Sequence, residues 1–177
     1  MTPRTLLAAG WMLLLCGPAA AAMTLTSTDF RDGAALPAAH IYPRCGGQNV
    51  SPQLSWRGAP AGTDSFVLTV IDVSVKPKGW THWIVVNLPA TATSLARGAQ
   101  SLPAPAQGVV SNFGDASYDG PCPPPGTGTH RYEFTIWAIP RSAAPAIRPD
   151  QPANEVSALL TASAIEHATI AATVSAR

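Results

Sequence analysis

The sequence predicts a mostly β protein with one helix close to its C-terminus, and three features of the chain lead to this prediction. The 177 residues include 18 prolines and 14 glycines, many of them in polar turns between short β-branched or aromatic runs. Such punctuation is typical of successive short strands. Two of the runs, 80–87 and 130–139, alternate with a period of two, as half-buried strands do. A single stretch, 156–164, has convincing helical spacing.

Residues 1–22 are predicted to be a secretory signal peptide. Arg4 precedes an apolar run, 6–15, that is too short to span a bilayer, since a span needs about 20 apolar residues. Ala20 and Ala22 supply the small residues that signal peptidase recognises, so we expect cleavage after Ala22. The proline and the alanines that follow the run disfavour a buried N-terminal helix. The mature protein is therefore expected to be one domain, 23–177, that is periplasmic or secreted.

A lipid anchor on Cys16 is the alternative to this cleavage. Lipoprotein signals have a small residue just before the cysteine, and here that residue is Leu15, which disfavours the anchor. Arg4 is the one charged residue in 1–22, so cleavage takes the formal net charge from +1 to zero. A balanced charge favours neither nucleic acid nor a polybasic membrane anchor. No later stretch is long and apolar enough for a transmembrane segment, so we expect a soluble mature protein.

Three strands and their faces follow from the apolar pattern. The run 65–72 is almost continuously apolar, which predicts a strand buried on both faces. Because strand side chains alternate, each of the other two strands should have one apolar face. In the first strand this face carries Trp80, His82, Ile84 and Val86. In the second it carries His130, Tyr132, Phe134 and Ile136.

The C-terminal pattern predicts a helix and then a closing strand. Val156, Leu159 and Leu160 have helical spacing behind Asn154, which we expect to be the N-cap. The segment 169–175 then alternates Ile170, Ala172 and Val174 with polar or small neighbours, as a strand does. Two long loops, 100–108 and 116–129, hold much of the remaining Gly and Pro, and loops of this size are often functional.

Four features occur in a fixed order along the chain. They are CGGQNVSPQLSW at 45–56, Asp72, GWTHWIVVN at 79–87 and YDGPCPPPGTGTHRY at 118–132. Together they resemble the phosphatidylethanolamine-binding family, also called Raf-kinase-inhibitor-like, in its bacterial branch. The resemblance extends from about Phe30 to the C-terminus, and four motifs in order are far more specific than any one of them.

The resemblance implies an antiparallel β-sandwich with a small pocket at one end, where phosphate, acetate or a phospholipid head group binds. By position it assigns the pocket to Asp72, His82, His130 and Tyr132. It assigns the pocket rim to the loop 120–124, where Cys122 stands in place of a common glycine.

Cys45 and Cys122 are the cysteines that remain after cleavage, and the resemblance implies that their loops lie near the pocket. Because export permits disulfides, we expect these two residues to be bonded.

One segment departs from the family pattern. After the first long strand the family has Asp-Pro-Asp-Ala-Pro, and this chain has Asp72-Val-Ser74-Val-Lys76. A hydroxyl replaces one carboxylate and both prolines are absent. We therefore expect this wall of the pocket to differ in shape and charge.

The residue types at these positions independently suit an anion site. His130 and Tyr132 are two apart on a strand, so their side chains point the same way. The Gly-rich loop before them can bring backbone N–H groups close to a ligand. Imidazoles, a phenol and amides are donors, and Asp72 can orient one imidazole and fix its tautomer. A single strand histidine is better explained as a core residue, but the four motifs together favour a site.

Other kinds of site are less well supported. Two histidines and an aspartate could bind zinc, but no His-x-His or Cys-x-x-Cys spacing occurs, so we expect no metal and no cofactor. A serine hydrolase needs its nucleophile on a sharp Gly-flanked turn. Four serines lack this setting: Ser51, Ser55, Ser74 and Ser117. We therefore expect no enzymatic activity.

Residues outside the proposed pocket have simpler interpretations. His40 and His167 lie outside the motifs and are expected on the surface. Trp80 and Trp83 either line the pocket or pack between sheets.

Three functions remain in order of preference. The first is a binding protein for a small anion or lipid head group that modulates a partner protein. The second is an inhibitor whose target, given the predicted location, is a protease or host-facing protein and not a kinase. The third is a hydrolase with His82 or His130 as general base, which ranks last because no nucleophile is visible.

Overall fold

The structure is a computed structural model that describes residues 22–99 and 101–176. Residues 1–21 of the predicted signal peptide, including Cys16, lie outside the described residues. Export and cleavage after Ala22 therefore remain predictions. None of the described helices is long and apolar enough to cross a bilayer.

The described chain forms eight strands and one α-helix. The strands are β1 (Thr24–Thr26), β2 (Leu54–Arg57), β3 (Thr63–Asp72), β4 (Trp80–Pro89), β5 (Ser94–Leu95), β6 (Gln107–Gly108), β7 (Thr129–Pro140) and β8 (Glu166–Ser175). The helix α1 (Ala153–Ser163) lies between β7 and β8. Short 3-10 turns occur at Ala38–His40, Pro43–Cys45 and Ala144–Ala146.

The strands form two antiparallel sheets that face each other. The smaller sheet has the order β1-β2-β5 and the larger one β6-β4-β3-β7-β8. One cluster of buried side chains joins Leu25 and Trp56 of the smaller sheet to Phe66 and Phe134 of the larger sheet. The predicted mostly β sandwich, with one late helix and a closing strand, is confirmed.

The other face of the larger sheet is covered by α1. Val67 of β3 packs in a second cluster with Val156 and Leu160 of the helix. Phe66 and Val70 of the same strand point into the cluster between the sheets. Both faces of β3 are therefore buried, which explains its nearly continuous apolar sequence.

The helix begins differently from the prediction. Asn154 is the second residue of α1, and the cap position belongs to Pro152, without a side-chain cap hydrogen bond. The amides of Glu155 and Val156 donate to the Pro152 carbonyl at 2.9 and 3.2 Å. A proline at this boundary loses no intrahelical hydrogen bond because it has no N–H. The predicted cap at Asn154 was wrong.

A β-bulge changes the direction of His82. Pairing between β3 and β4 skips this residue, so β4 carries one extra residue here. His82 contacts Tyr132, which belongs to the cluster between the sheets. Ile84 and Val86 lie on the opposite face, beneath α1. The prediction that Trp80, His82, Ile84 and Val86 share one face was therefore wrong at His82.

The outer edge of β8 is partly covered by the segment 32–36. The amides of Gly33 and Leu36 donate to β8 carbonyls at 2.8 and 2.9 Å. Near the start of β8, the Met23 amide donates to the Glu166 carboxylate at 2.8 Å. The segment 32–36 thus partners the backbone of this edge, and Met23 contacts a side chain at its start.

Candidate functional site

The site is organised around the ends of β3 and β7. Asp72, the last residue of β3, lies opposite Tyr132 in the register between these strands. His130 is two residues before Tyr132, so both side chains lie on one face of β7. The His130 Nδ1 lies 2.6 Å from the Asp72 Oδ2, and both residues are buried. The carboxylate accepts from Nδ1–H and so holds the ring in one orientation.

Ser74, in the segment that departs from the family pattern, makes two hydrogen bonds. Its amide donates to the Asp72 Oδ1 at 2.9 Å. Its hydroxyl accepts from the Arg131 amide at 2.9 Å. The Ser74 hydroxyl therefore joins the turn after β3 to the start of β7, and its backbone amide, which any residue here would provide, holds the Asp72 carboxylate.

Tyr132 packs between the two histidines. Its ring centroid lies 5.2 Å from that of His82, edge to face, and 6.4 Å from that of His130, in a stacked arrangement. Burial, and then the charge of Asp72, raise the pKa of Tyr132 far above its usual value. The phenol therefore keeps its proton at any physiological pH and can act as a hydrogen-bond donor.

His82 is a neutral imidazole with its proton on Nδ1, so its Nε2 cannot donate a hydrogen bond to an anion. Its Nδ1 lies 2.7 Å from the Asp119 carbonyl oxygen. A carbonyl can only accept, so Nδ1 carries the proton. Burial lowers the pKa of His82, although this hydrogen bond and the charge of Asp72 oppose the effect. At neutral pH the ring is neutral, so its Nε2 is an acceptor.

The loop 118–124 is held against the site from behind. The Asn49 Oδ1 accepts from the Gly120 amide at 2.7 Å. A Cβ on Gly120 would overlap the His40 carbonyl oxygen, so this close approach requires glycine. The Tyr42 amide donates to the Pro121 carbonyl at 3.1 Å. These contacts fix the loop backbone, including the Asp119 carbonyl that accepts a hydrogen bond from His82.

Cys122 is bonded to Cys45, with a Cα–Cα distance of 5.5 Å across a sequence separation of 77 residues. The bond joins the loop 118–124 to the turn Pro43–Cys45. The predicted pairing is present in the structure. Cys122 thus borders the site through the loop that it anchors.

Comparisons with known proteins agree with this architecture. The sequence model of the family described as phosphatidylethanolamine-binding protein matches residues 26–175. The chain belongs to the phosphatidylethanolamine-binding protein family. The family predicted from the four motifs is therefore confirmed.

Bacterial relatives place the chain more closely within this family. UPF0098 protein YbhB of Escherichia coli K12 is 47% identical over 124 residues, which are 66% of this chain and 78% of that protein. UPF0098 protein YbcL of the same organism is 41% identical over 128 residues, 68% of this chain and 70% of that protein. The crystal structure of E. coli YbcL, described as a member of the mammalian family, superposes with a TM-score of 0.77. That superposition has 34% identity and covers 89% of this chain and all of the other.

Three further residues contact the candidate site and were not predicted from the sequence. Phe113 packs on His82, with ring centroids 5.1 Å apart. Asn49 holds the Gly120 loop, and Thr127 contacts His130 through its hydroxyl, 2.8 Å from Nε2. The available signals were weak: an aromatic residue beside a glycine, an asparagine within a motif, and a threonine between two glycines.

His40 is buried, and its predicted surface position was wrong. It is 1% exposed, and its Nδ1 donates to the Val50 carbonyl at 2.7 Å. Its Nε2 lies 3.6 Å from the buried Asp29 carboxylate. The buried acid needs a partner, and the fold supplies His40 and Arg97. His167 is exposed, as predicted, and stacks on a tryptophan.

The two tryptophans of β4 have separate roles. Trp83 is buried and contacts Tyr118, with ring centroids 5.7 Å apart. Trp80 is 40% exposed and meets Phe113 edge to face. Trp83 is therefore part of the packing between the sheets, and Trp80 lies at the outer margin of the site.

A groove of about 1100 Å³ lies elsewhere, between the segment 149–161, which includes most of α1, and the segments 78–81 and 110–112. Asp72, His82, His130 and Tyr132 do not line it. Its volume is large, but the titratable residues of its lining are Lys78 and Asp150 and it has no histidine or tyrosine, so the chemistry favours the His82 and His130 cluster. Within 22–99 and 101–176, no three His, Cys, Asp or Glu side chains converge as metal ligands.

Proposed function

We propose that this family member is a periplasmic or secreted protein that binds a small anion, such as phosphate or a phospholipid head group. The ligand lies among His82, His130 and Tyr132, with the loop of Cys122 as its rim. The observation that carries the proposal is the buried Asp72–His130 pair at 2.6 Å, with the buried Tyr132 opposite Asp72 in the strand register. A fixed imidazole and a phenol supply donors of the kind that a phosphate oxygen accepts.

The neutral His82 adds a requirement on the ligand. Its Nε2 accepts a hydrogen bond at neutral pH, so it suits a ligand group that donates. A monoprotonated phosphate and the ammonium of phosphoethanolamine both offer such a donor. His82 becomes a second donor to the anion only on the acid side of its ordinary range, because burial lowers its pKa. We expect affinity for phosphoethanolamine to rise on mild acidification and to fall once its phosphate monoester loses charge at about pH 6.

The proposed chemistry is binding, without turnover and without a cofactor. Asp72, His130 and Thr127 follow the order carboxylate, imidazole, hydroxyl that serine hydrolases use. However, the Thr127 hydroxyl lies 2.7 Å from the Pro124 carbonyl, which can only accept its proton. A hydroxyl that donates to a carbonyl is not activated by the imidazole. Thr127 therefore fits the role of holding the His130 ring in position and not that of a nucleophile.

The extracytoplasmic location belongs to the same proposal. It is supported by the predicted signal peptide and by a disulfide, which persists in oxidising compartments. We propose that the protein modulates a partner of that compartment, a protease or host-facing protein, through its ligand state. Pull-down from exported fractions with and without phosphate tests this part, and a partner captured equally in both contradicts it.

Isothermal titration calorimetry with phosphate and phosphoethanolamine tests the ligand. We expect His82→Ala and His130→Ala to weaken binding, the second by about 1.5–3 kcal/mol, as for hydrogen bonds to charged groups. His167→Ala is the matched control, because that histidine is exposed. His130→Asn keeps a polar partner for Asp72 if the alanine variant does not fold. Unchanged affinity in folded variants at both positions would remove the site from the proposal.

A further inference from the structure

His130 has no ring nitrogen free for a ligand. Nδ1 is held by Asp72 at 2.6 Å, and Nε2 lies 2.8 Å from the Thr127 Oγ1. The Thr127 hydroxyl lies 2.7 Å from the Pro124 carbonyl oxygen and donates to it. Its oxygen is then left as an acceptor, so this arrangement requires a proton on Nε2 as well as on Nδ1 of His130. A ligand oxygen that reaches Nε2 must therefore meet a position that is already filled.

We propose that Thr127 occupies the place of an anion oxygen on His130, and that binding exchanges the threonine hydroxyl for the ligand. This inference rests on the proposed anion site and names the residue that limits its affinity. Asp72 cannot be the partner that leaves, because its buried carboxylate would lose its imidazole. The movable partner is Thr127.

The turn that carries Thr127 is exposed and has space around it. Residues 124–129 are all exposed. Gly126 and Gly128 flank the threonine with φ of +83° and +82°, and no atom lies within 4 Å of a Cβ built on either. The surrounding protein thus leaves space beside both glycines. The Thr127 amide donates to the Pro124 carbonyl at 3.2 Å, so the hydroxyl and amide share one acceptor.

The exchange favours an anion over a neutral group. Nε2–H donates to a neutral hydroxyl before binding and to a charged oxygen after it. Hydrogen bonds with an ionised acceptor are shorter and roughly twice as strong as neutral ones. A neutral ligand oxygen would gain nothing over Thr127 itself. An anion can therefore displace the Thr127 hydroxyl from His130 Nε2, whereas water or an alcohol cannot.

The test compares Thr127→Ala with Thr127→Ser by calorimetry against inorganic phosphate. Loss of the competing hydroxyl should tighten phosphate binding by about 2- to 10-fold, the equivalent of one net hydrogen bond. Serine keeps the hydroxyl and should bind as the parent protein does. Thr63→Ala is the matched control: Thr63 follows Gly62 and donates to the Pro60 carbonyl at 2.7 Å, in the same kind of turn. It should leave affinity unchanged.

A weaker or unchanged affinity of Thr127→Ala would overturn the inference while leaving the anion site standing, provided that the parent protein binds phosphate. If neither the parent nor Thr127→Ala binds phosphate, both proposals fall. If Thr127→Ala alone binds it, both are supported. Long-range ¹H–¹⁵N spectra of the ligand-free protein provide an independent check. The His130 Nε2 signal should shift in Thr127→Ala and not in Thr63→Ala, and the absence of a shift would also overturn the inference.

Discussion

The backbone nitrogen of Met23 lies 2.8 Å from the Glu166 Oε1, and this contact joins the start of the domain to the first residue of β8. Met23 is buried, with 6% of its surface exposed. Cleavage after Ala22, as the sequence predicts, would convert this backbone N–H into an ammonium group. The hydrogen bond would then become an ion pair that only the processed chain has.

We expect Glu166→Gln to lower the free energy of unfolding of a chain that begins at Met23 by about 0.5–1 kcal/mol, the range of a partly exposed ion pair. The same substitution in a chain extended by Gly-Ser before Met23 should cost less, because the charge is displaced. Urea unfolding of the four proteins measures the difference. Equal costs in both backgrounds would mean that the amino terminus is not paired with Glu166.

Loss of the Cys45–Cys122 bond should weaken both the fold and the site. The bond closes a loop across 77 residues, for which the chain-entropy argument gives about 4 kcal/mol. It also anchors the loop whose Asp119 carbonyl holds His82. We expect a double alanine variant to unfold at lower urea and to bind phosphate more weakly. Lower stability with unchanged phosphate affinity would show that the bond serves the fold alone.

The buried His82 should make stability depend on pH. Burial lowers its pKa below the ordinary value of 6.5. Below that pH the unfolded chain takes up a proton that the folded protein resists, so the free energy of unfolding falls as the pH falls. The loss cannot exceed about 1.4 kcal/mol per pH unit for one group. His82→Gln should remove this part, so its stability relative to the parent should rise from pH 7 to pH 5. A constant difference between the two proteins would contradict the argument.

Asp119 is a carboxylate whose charge is expected to destabilise the fold. Burial, and then the charge of Asp115, raise its pKa. Its Oδ2 has no hydrogen-bond partner among the described residues. We expect Asp119→Asn to increase the free energy of unfolding at pH 7 by about 1 kcal/mol, because an unpaired buried group is neutralised.

The gain from Asp119→Asn should shrink as the pH falls toward 4, where the native carboxyl becomes protonated. Denaturant unfolding at pH 4 and 7 measures it, with the exposed Asp150→Asn as control. A gain that is the same at both pH values would point to another cause.

The sequence predicted the strands well because their burial is a local pattern. The run 65–72 is apolar on both faces, and β3 is indeed covered on both. Asp72, His130 and Tyr132 were brought together by the family resemblance, and the pairing of β3 with β7 gives the physical reason. The disulfide likewise followed from two loops that meet in the fold.

Other features depend on contacts that no local pattern encodes. The bulge at His82 comes from the pairing of β4 with β3, and it reverses a face that strict alternation would predict. The burial of His40 depends on Asp29, a carboxylate from a separate loop. The bulge and the burial of His40 therefore depend on tertiary contacts. The Thr127 contact is local, three residues from His130, but nothing in the sequence distinguishes this threonine from the other hydroxyl residues of the loop.

The segment 32–36, which covers part of the β8 edge, affects whether copies of the protein can associate through their sheets. An open sheet edge offers unpaired amides and carbonyls to any passing strand and so invites association between copies. Here the segment 32–36 occupies part of one edge, and the strand at the other edge, β6, is only two residues long. Neither edge presents a long row of free backbone groups to a neighbour. The edges of the larger sheet are therefore poorly suited to pairing with a strand of another molecule. We expect concentrated protein not to form fibrils through these edges.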